Sequence, residues 1–573
     1  MLQVGGGLDL LQKALGADDG SQLGPQHLER DPTVVANIMG QIDRRHAALP
    51  ELALELVAVR QRCGEMGRDL CHGRSGRYGL GLSLGVAILD RLSFDNSYAR
   101  LHPGFYEVVD PTPLPDPYLV AFNPDAAALV DLDAAVTSNP ELPAYLSGAR
   151  RIPCSEPIAQ AYAGHQFGVW VPQLGDGRAF LLGEVRNAKG DKWDLHLKGA
   201  GRTRFSRFGD GRSVLRSAIR EYLASEALFS LGIPTTRALC IVGSDEPVQR
   251  ETVETAATII RLAPSHVRFG TFQYFAARGE ADRVRELTDF IIGRHFSEIE
   301  EAPGHYRLFF GEVCRRTARL MAHWMAAGFA HGVMNTDNMS VLGLTLDYGP
   351  YGFLDDYDSG FICNHTDTGG QYAFDRQPAV GMWNCARLGE ALLALIDVAE
   401  AQNELETYWD AFVPEYARLM CAKLGLRTQR EDDATLLRDL LVTLQANHVD
   451  YTRFFRALGG FDERRPTEHV DVPALFADRA AITSWLDRYA TRLGAEGSVA
   501  VERAERMRRT NPGYVLRNWI AQEAIEHAQR KDFGLIEELR RLFAAPYDDH
   551  PGMERFAEPP TPSRREIVVS CSS

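Results

Sequence analysis

The sequence has little that would suit a secreted, membrane-spanning or nucleic-acid-binding protein. Only nine cysteines occur in 573 residues, too few for a disulfide scaffold, which favours a reducing compartment. Basic residues are not in excess, because the formal net charge is −15, and duplex-binding proteins usually carry a basic face. The longest apolar stretch of the N-terminal region, 79–89, ends at Asp90 and is shorter than the roughly 18 residues of a membrane span.

The N-terminus also lacks the features of a targeting segment. Residues 1–30 include Asp18, Asp19 and Glu29, whereas signal peptides begin with a basic region and transit peptides are poor in acidic residues. We therefore expect a cytoplasmic protein with neither a membrane nor a nucleic-acid partner. Hydrophobic residues make up 45% of the chain and charged residues 24%, as in an ordinary globular protein. The length fits several domains or one large two-lobed enzyme.

The chain divides into a strand-rich part and a helical part. Alternating apolar residues predict strands over 179–187, 192–199 and 254–263. A 3.6-residue period predicts helices over 212–232 and 307–328, and a short strand is expected over 341–350. The expected fold is α+β, with a helical N-terminal extension of unknown role (1–88), a strand-rich lobe (89–270), a helical lobe (271–545) and a C-terminal tail (546–573).

A lysine on a predicted strand followed by a glutamate on the next helix is the arrangement of a kinase-like nucleotide site. Lys198 would bind phosphates as a compact cation, and Glu221 would hold its ammonium group in place. Arg261 and Arg268, near the end of the following strand, could clamp a terminal phosphate with charge-assisted hydrogen bonds. Each charge taken singly is more often a solvated surface group, so the prediction rests on the set.

A doubled Gly-Asp-Gly-Arg motif indicates phosphate binding. Gly175 and Gly177 would let backbone N–H groups approach a phosphate, and Arg178 would add a charged donor. The second copy contains Asp210 and Gly211 at the start of the helix predicted over 212–232, where backbone amides favour anions. An ordinary structural turn is the alternative for both copies.

The segment after the helix predicted over 307–328 is similar to a kinase catalytic loop followed by a metal-binding Asp-Phe-Gly motif. Asn338 and Asp347 offer an amide oxygen and a carboxylate, which suit Mg²⁺ and are also accepted by Mn²⁺. Ordinary kinases place the base Asp five residues before the metal-binding Asn, whereas Asp337 is its immediate neighbour and no His-Arg-Asp occurs. An Asn/Asp-rich turn without a metal is the alternative.

Together these segments resemble the selenoprotein O family of pseudokinase-like protein adenylyltransferases. The resemblance runs from about Leu89 to Ser573 and leaves residues 1–88 outside. It is carried by AYAGHQFG (161–168), QLGDGRA (173–179), DLHLKGAGRTRFSRFGDGRSVLRSAIREYLASEAL (194–228), RLAPSHVRFG (261–270), HGVMNTDN (331–338), LDYGP (346–350), GFICNH (360–365) and CSS (571–573).

The resemblance implies a protein-kinase-like fold that binds ATP in a reversed orientation. AMP would then pass from ATP to a Ser, Thr or Tyr hydroxyl of a protein substrate, and pyrophosphate would leave. It also implies Mg²⁺ held by Asn338 and Asp347, Asp337 as proton acceptor, and Glu221 orienting Lys198. The implied ATP-binding residues are Gly175, Gly177, Arg178, Lys198, Asp210, Gly211, Arg261, Arg268 and Asp347.

The C-terminal tail suggests redox regulation. Cys571 stands where eukaryotic members of this family carry selenocysteine, and Cys363 lies shortly after the Asp-Tyr-Gly turn. We hypothesise a Cys363–Cys571 disulfide that holds the tail near the active site. Two unrelated thiols are the alternative, since a disulfide requires Cα atoms within about 7 Å.

Three other functions stay open at this point. An ordinary protein kinase would transfer the γ-phosphate, although the altered catalytic loop counts against it. A catalytically inactive nucleotide-binding scaffold could sense redox state through Cys571, although it would have no need of every phosphate- and metal-binding residue. Transfer of UMP with Mn²⁺ is the third alternative, because no residue that contacts the base can be identified from the sequence.

Overall fold

A computed structural model describes residues 89, 91–464, 471–565, 567 and 569. The predicted N-terminal extension (1–88) and Cys571 lie outside these residues. Among the described residues, no helix is both long and apolar enough to cross a membrane.

The first part of the described chain is rich in strands. An eight-stranded sheet contains β1 Tyr106–Val108, β2 Tyr118–Phe122, β3 Ile158–Gln160, β6 Ala179–Arg186, β7 Lys192–Lys198, β8 Ser213–Val214, β9 Arg237–Gln249 and β10 Val253–Ala263. Two further pairs are β4 Gly164–Gln166 with β5 Val169–Val171, and β11 Phe329–Ala330 with β12 Gly352–Phe353.

The large sheet follows the order β1-β3-β6-β7-β10-β9-β2, and β8 pairs with β10. Its central strands β7 and β10 are antiparallel, with Ile259 opposite Lys198 and Arg261 opposite His196. Side chains directly opposite each other in an antiparallel pair lie on the same face, and alternate residues of one strand share a face. The register therefore places Lys198, His196 and Arg261 on one face of the sheet.

Helices follow and connect these strands. The short helices α1 Pro124–Ala127 and α2 Leu142–Leu146 come first, and the long helix α3 Leu215–Ser230 lies between β8 and β9. The later helices are α4 Phe269–Ala276, α5 Ala281–His295, α6 His305–Ala327, α7 Gln377–Ala391, α8 Val398–Lys423, α9 Asp433–Ala446, α10 Tyr451–Leu458, α11 Asp471–Ala474, α12 Arg479–Ala495, α13 Ala500–Thr510, α14 Asn518–Gln529 and α15 Gly534–Ala544. The predicted α+β class, strand-rich first and helical second, is confirmed.

Apolar side chains cover both faces of the large sheet. On one face, Ile219 and Leu223 of α3 pack with Ile259, and this core continues into the helical part. Burial of such side chains is the main stabilising contribution, about 1.5–3 kcal/mol for each large apolar group. On the other face the sheet packs against the segment that carries α1 and α2, through Leu182, Val242, Leu262, Ala126, Val130 and Leu142.

The strand predicted over 341–350 is absent. Thr345 forms only isolated bridges, to Thr235 and Met339. Gly343 has φ 68° and Asp347 has φ 54°, and these left-handed conformations break an extended strand although the residues alternate as in one. The segment is therefore an irregular loop.

The helix predicted over 212–232 is shorter than expected. It begins at Leu215 because Ser213 and Val214 form β8, paired with Ala257 and Ala256 of β10. Phe229, near the end of this helix, is 51% exposed. The guanidinium of Arg237 covers its ring at 3.6 Å from the centroid, so a cation takes the place of an apolar neighbour.

A buried ion pair fastens α3 to β9 and gives a stability test. Arg237 donates from Nε and Nη2 to the two carboxylate oxygens of Glu226, at 2.8 and 2.7 Å. Removing one partner leaves the other charge buried and unpaired, so Arg237→Met should lower the free energy of unfolding by about 3–5 kcal/mol. The urea midpoint of purified protein measures this loss.

The controls separate pairing from packing. The double variant Glu226→Leu with Arg237→Met should recover most of the loss, because no unpaired charge stays buried. Arg541→Met, which removes an exposed partner of Glu537, should cost less than about 1 kcal/mol. Equal losses for the two arginine variants would contradict the assignment.

Candidate active site

Asp347 lies at the centre of a cluster of buried cations. Its Oδ1 accepts a hydrogen bond from Arg261 Nη1, its Oδ2 accepts one from Arg268 Nη1 at 2.5 Å, and Lys198 Nζ lies 3.8 Å from Oδ1. Burial alone would raise the pKa of this carboxyl, but the three cations outweigh burial and hold the pKa of Asp347 well below its usual range. Asp347 is therefore a carboxylate throughout the physiological pH range.

Lys198 and Glu221 form the ion pair that the sequence predicts. Lys198 Nζ donates to Glu221 Oε2 at 2.7 Å, and Arg261 Nη1 lies 3.2 Å from Glu221 Oε1. Lys198 ends β7 and Glu221 lies in the middle of α3, so the packing of this helix on the sheet joins the two groups. Three cations, Lys198, Arg261 and Arg268, thus surround two carboxylates, Glu221 and Asp347. The excess of positive charge suits the binding of a phosphate chain.

The first Gly-Asp-Gly turn has a packing role that the sequence did not show. Gly175 has φ 82°, and a Cβ there would lie 2.8 Å from Cβ of Phe205, while a Cβ on Gly177 would lie 2.9 Å from the Phe205 carbonyl oxygen. Thr203 donates from its hydroxyl to the carbonyl of Asp176 at 2.7 Å. Both glycines are therefore required by the close approach of the segment 203–206.

Arg178 follows this turn and faces the charged cluster. Burial lowers the pKa of its guanidinium, whereas the nearby Asp347 and Glu221 carboxylates raise it. Its backbone carbonyl accepts the N–H of Gly199 at 2.6 Å, which fixes the end of the turn beside the end of β7. Arg178 thus stands with Lys198 at one edge of the site.

Asp210 and Gly211 do not belong to the group of side chains that contact Asp347 directly. Asp210 is exposed and accepts hydrogen bonds from Arg250 Nη1 and Nη2 at 2.7 and 3.1 Å. Gly211 has φ 78° and is approached by the backbone of Gly201, so a side chain there would clash. The nearby Arg250 and Arg178 guanidiniums, together with the backbone N–H of Arg212, lower the pKa of Asp210.

Asp337 is buried beside the cluster in the short 3₁₀ turn Thr336–Asn338. Its backbone carbonyl accepts a hydrogen bond from Arg268 Nη1 at 2.7 Å, the same nitrogen that binds Asp347, and its Oδ2 accepts one from Gln166 Nε2 at 3.3 Å. Burial raises the pKa of Asp337 to about 6. Its Oδ1 is buried and has no hydrogen-bond partner among the described residues.

Asn338 and Asp347 offer ligands that fit Mg²⁺. Asn338 donates from Nδ2 to the carbonyl of Val333 at 3.0 Å, which leaves its amide oxygen as the acceptor. The Met339–Thr345 bridge folds the chain back between the two residues. No group of three or more His, Cys, Asp or Glu side chains able to hold a metal occurs within the described ranges, and Mg²⁺ is commonly bound by one or two protein ligands, waters and substrate phosphates.

Sequence reasoning missed the polar residues behind the cluster. His196, Asp176 and Gln166 all contact predicted site residues, either directly or through one another. Two of them could have been identified from the sequence. His196 shares a strand face with Lys198, and Asp176 stands between the two glycines of the first turn. Gln166 reaches Asp337 from the β4–β5 hairpin, a contact that no local pattern indicates.

Cys363 is buried, and its thiol donates to the carbonyl of Ala330 at 3.5 Å. Two residues further on, His365 donates its backbone N–H to the carbonyl of Val569 at 2.9 Å. The C-terminal segment therefore reaches the loop that carries Cys363. The other half of the predicted disulfide, Cys571, is outside the described residues.

Comparisons with known proteins agree with the resemblance seen in the sequence. A family described as protein adenylyltransferase SelO matches residues 89–544. A "Protein nucleotidyltransferase YdiU" of Myxococcus xanthus is 55% identical over 488 residues, which cover 85% of this chain and 100% of the relative. The proteins of the same name from Thiobacillus denitrificans and Thioalkalivibrio sulfidiphilus are 51% and 52% identical, each over 85% of this chain and 100% and 99% of the relative.

A buried histidine behind the cluster makes the stability of the protein depend on pH. His266 stacks on His196 with 4.4 Å between the ring centroids, and its backbone N–H donates to Asp194 Oδ2 at 2.9 Å. Burial, together with the neighbouring His196, lowers the pKa of His266 from 6.5 to about 3. The unfolded chain takes up this proton near pH 6.5 and the folded chain only near pH 3, so folding loses stability as the pH falls through that window.

Urea unfolding at pH 7, 6 and 5 tests this dependence. Below pH 6.5, His266 lowers the free energy of unfolding by about 1.4 kcal/mol for each pH unit. In His266→Asn the free energy of unfolding should therefore fall less steeply as the pH decreases, by that amount per pH unit. His102→Asn, at an exposed position, is the matched control and should keep the wild-type slope. An unchanged slope in His266→Asn would show that His266 is not held neutral by the fold.

Proposed function

The chain belongs to the protein adenylyltransferase SelO family and is a nucleotidyltransferase, and on that premise we propose that it transfers AMP from ATP to hydroxyl groups of proteins. Ser, Thr and Tyr side chains are the acceptors, and pyrophosphate is the second product. The observation that supports this most strongly is one guanidinium nitrogen, Arg268 Nη1, that contacts both Asp347 and the backbone of Asp337. Arg268, which would bind the anionic phosphates, and Asp337, which would take the proton, are therefore in direct contact.

The polyphosphate of ATP is assigned to the cationic side of the site. Lys198, Arg261 and Arg268 would bind its terminal phosphates, with Glu221 keeping the ammonium of Lys198 in place. In the structure Arg261 and Arg268 occupy both oxygens of Asp347, so their Nη1 atoms exchange this carboxylate for phosphate oxygens when nucleotide binds. Positioning and charge neutralisation of this kind supply most of the rate enhancement in phosphoryl-type transfers.

The proposed transfer needs a base and a divalent cation. The carboxylate of Asp337 accepts the proton of the substrate hydroxyl as the hydroxyl oxygen forms a bond to the α-phosphorus, and the bond between the α-phosphorus and the bridging oxygen of the leaving pyrophosphate breaks. Asn338 and Asp347 would hold Mg²⁺, with Mn²⁺ as the alternative. When bound, the cation neutralises charge on the phosphates.

The target class follows from the same proposal. The partners are ATP and proteins that present a Ser, Thr or Tyr hydroxyl. A cytoplasmic location stays a prediction from the sparse cysteine content, and the lack of a nucleic-acid partner stays a prediction from the net charge of −15.

Incubation with Mg²⁺ and nucleotide labelled at one phosphate tests the reaction. Label from the α-position of ATP should appear on protein as an AMP mass increment, because the α-phosphate is the group transferred. Asp337→Asn should reduce the transfer rate by about 10²–10⁴ while nucleotide still binds, and Asp347→Ala should abolish transfer. Asp532→Asn, an exposed residue on the loop before α15, is the control and should retain full activity.

Other outcomes identify the alternative functions. Label from the γ-position alone would mean kinase chemistry despite the altered catalytic loop. Stronger labelling by UTP with Mn²⁺ would mean transfer of UMP. Nucleotide binding without transfer of any label would mean that the protein is a catalytically inactive nucleotide-binding scaffold.

We infer that the tail regulates this activity through a Cys363–Cys571 disulfide. The support is the hydrogen bond between His365 and Val569, because each of these residues is two positions from one of the two cysteines. Such a bond within the cytoplasm would be transient, as redox-sensing disulfides there are.

Peptide mapping of oxidised protein without reductant tests the disulfide. We expect one cross-linked peptide pair containing Cys363 and Cys571, which disappears in Cys571→Ser, and a change in transfer rate between oxidised and reduced wild-type protein. Cys154→Ser, at an exposed cysteine, is the control and should leave the pair intact. If both cysteines can still be alkylated after oxidation, the disulfide hypothesis is wrong.

A further inference from the structure

The guanidinium of Arg261 is held from behind by a buried histidine. His196 is fully buried, and its Nδ1 lies 2.7 Å from Arg261 Nη2, while its Nε2 lies 3.2 Å from Asp176 Oδ2. His196 stands opposite Arg261 in the β7–β10 register. The contact therefore follows from the pairing of the two central strands.

The hydrogen-bond partners fix the state of this histidine. A guanidinium nitrogen can only donate, so Nδ1 must be the accepting nitrogen of the ring, and Nε2 must carry the hydrogen and donate to Asp176. Burial also lowers the pKa of His196, which agrees with a neutral imidazole. The ring thus accepts a hydrogen bond on one side and donates one on the other.

Asp176 extends this connection to the first Gly-Asp-Gly turn. Its Oδ2 also accepts the backbone N–H of Gln160 at 3.0 Å, and its own backbone N–H donates to the carbonyl of Gln160 at 2.9 Å. The residue between Gly175 and Gly177 is therefore anchored to β3 and, through His196, to Arg261.

The plane of the imidazole is also restrained. His266 stacks on His196 with an interplanar angle of 18°. Asp194 holds His266 from the other side and is itself bound by Arg294 Nη2 at 3.0 Å. Because the ring is restrained against rotation, both of its hydrogen bonds keep a constant direction.

We propose that His196 is a positioning residue for the nucleotide, which sets the place of Arg261 relative to the Gly175–Gly177 turn so that both meet the same phosphate chain. This inference rests on the proposed function, in which Arg261 binds the terminal phosphates. A well-placed cation matters because displacement of a binding group by about 1 Å can cost two orders of magnitude in rate. A histidine that merely filled the core would have no such effect on the ligand.

Two substitutions at His196 separate positioning from packing. His196→Leu keeps the apolar volume but removes both hydrogen bonds, whereas His196→Gln keeps one acceptor and one donor in a single planar group. We expect His196→Leu to bind α,β-methylene-ATP about ten- to a hundred-fold more weakly than the wild type, the usual cost of losing a hydrogen bond to a charged group. His196→Gln should recover the affinity to within about three-fold, and AMP, which lacks the terminal phosphates, should bind all three proteins equally.

Isothermal titration with full-length protein measures these affinities, and Arg261→Ala provides the reference. In the Arg261→Ala background, His196→Leu should add no further loss, because the two residues act as one unit. If His196→Leu fails to fold, Asp176→Ala is the second variant, and it should show the same selective loss for the triphosphate.

The outcomes distinguish this inference from the proposed function. If Arg261→Ala binds α,β-methylene-ATP as tightly as the wild type, the proposed phosphate site is wrong and the inference is wrong with it. If Arg261→Ala weakens binding and His196→Leu does not, only the positioning role fails. A parallel loss of AMP and α,β-methylene-ATP in His196→Leu, or a His196→Gln as weak as His196→Leu, would also overturn it.

Discussion

The arrangement of the site depends on the carboxylate of Asp347 and the cations gathered around it. Arg261 and Arg268 each bind one oxygen, and Lys198 lies 3.8 Å away. Three cations confined in a buried volume would repel one another, and a carboxylate between them offsets that repulsion. We propose that the same cations bind phosphate oxygens when nucleotide is present, which frees the carboxylate of Asp347 for a metal.

The sheet and α3 explain how these groups come together. Lys198 ends β7, Arg261 stands near the end of β10, and their antiparallel pairing places both on one face. Glu221 approaches that face from α3 and contacts both cations. Arg268 directly precedes α4 and bridges Ser340 in the loop that leads to Asp347, which joins the strand-rich part to the helical part at the site itself.

Much of this could be predicted from the sequence, because the residues involved lie on regular elements. The strands that carry Lys198 and Arg261 and the helix that carries Glu221 follow from their hydrophobic periods, and the structure joins the three charges as expected. Residues 341–350 read as a short strand in the sequence, whereas the structure has a loop there. The left-handed conformations at Gly343 and Asp347 depend on tertiary contacts that periodicity does not report.

The contacts behind the site could not be predicted for a related reason. The hydrogen bond between His196 and Arg261 depends on the register of two strands separated by some sixty residues, and a shift of one residue would place them on opposite faces. The close packing of Phe205 on Gly175 and Gly177 likewise requires the path of a loop. Local patterns indicate which residues can carry chemistry, whereas register and loop path decide which of them touch.

A structure of the full-length protein with Mg²⁺ and a non-hydrolysable ATP analogue would test the proposed nucleotide site. We expect the terminal phosphates to contact Lys198, Arg261 and Arg268, the α-phosphate to face Asp337, and both arginines to have released Asp347 to the metal. An analogue bound with its γ-phosphate toward Asp337, or arginines still paired with Asp347 while nucleotide is bound, would contradict it.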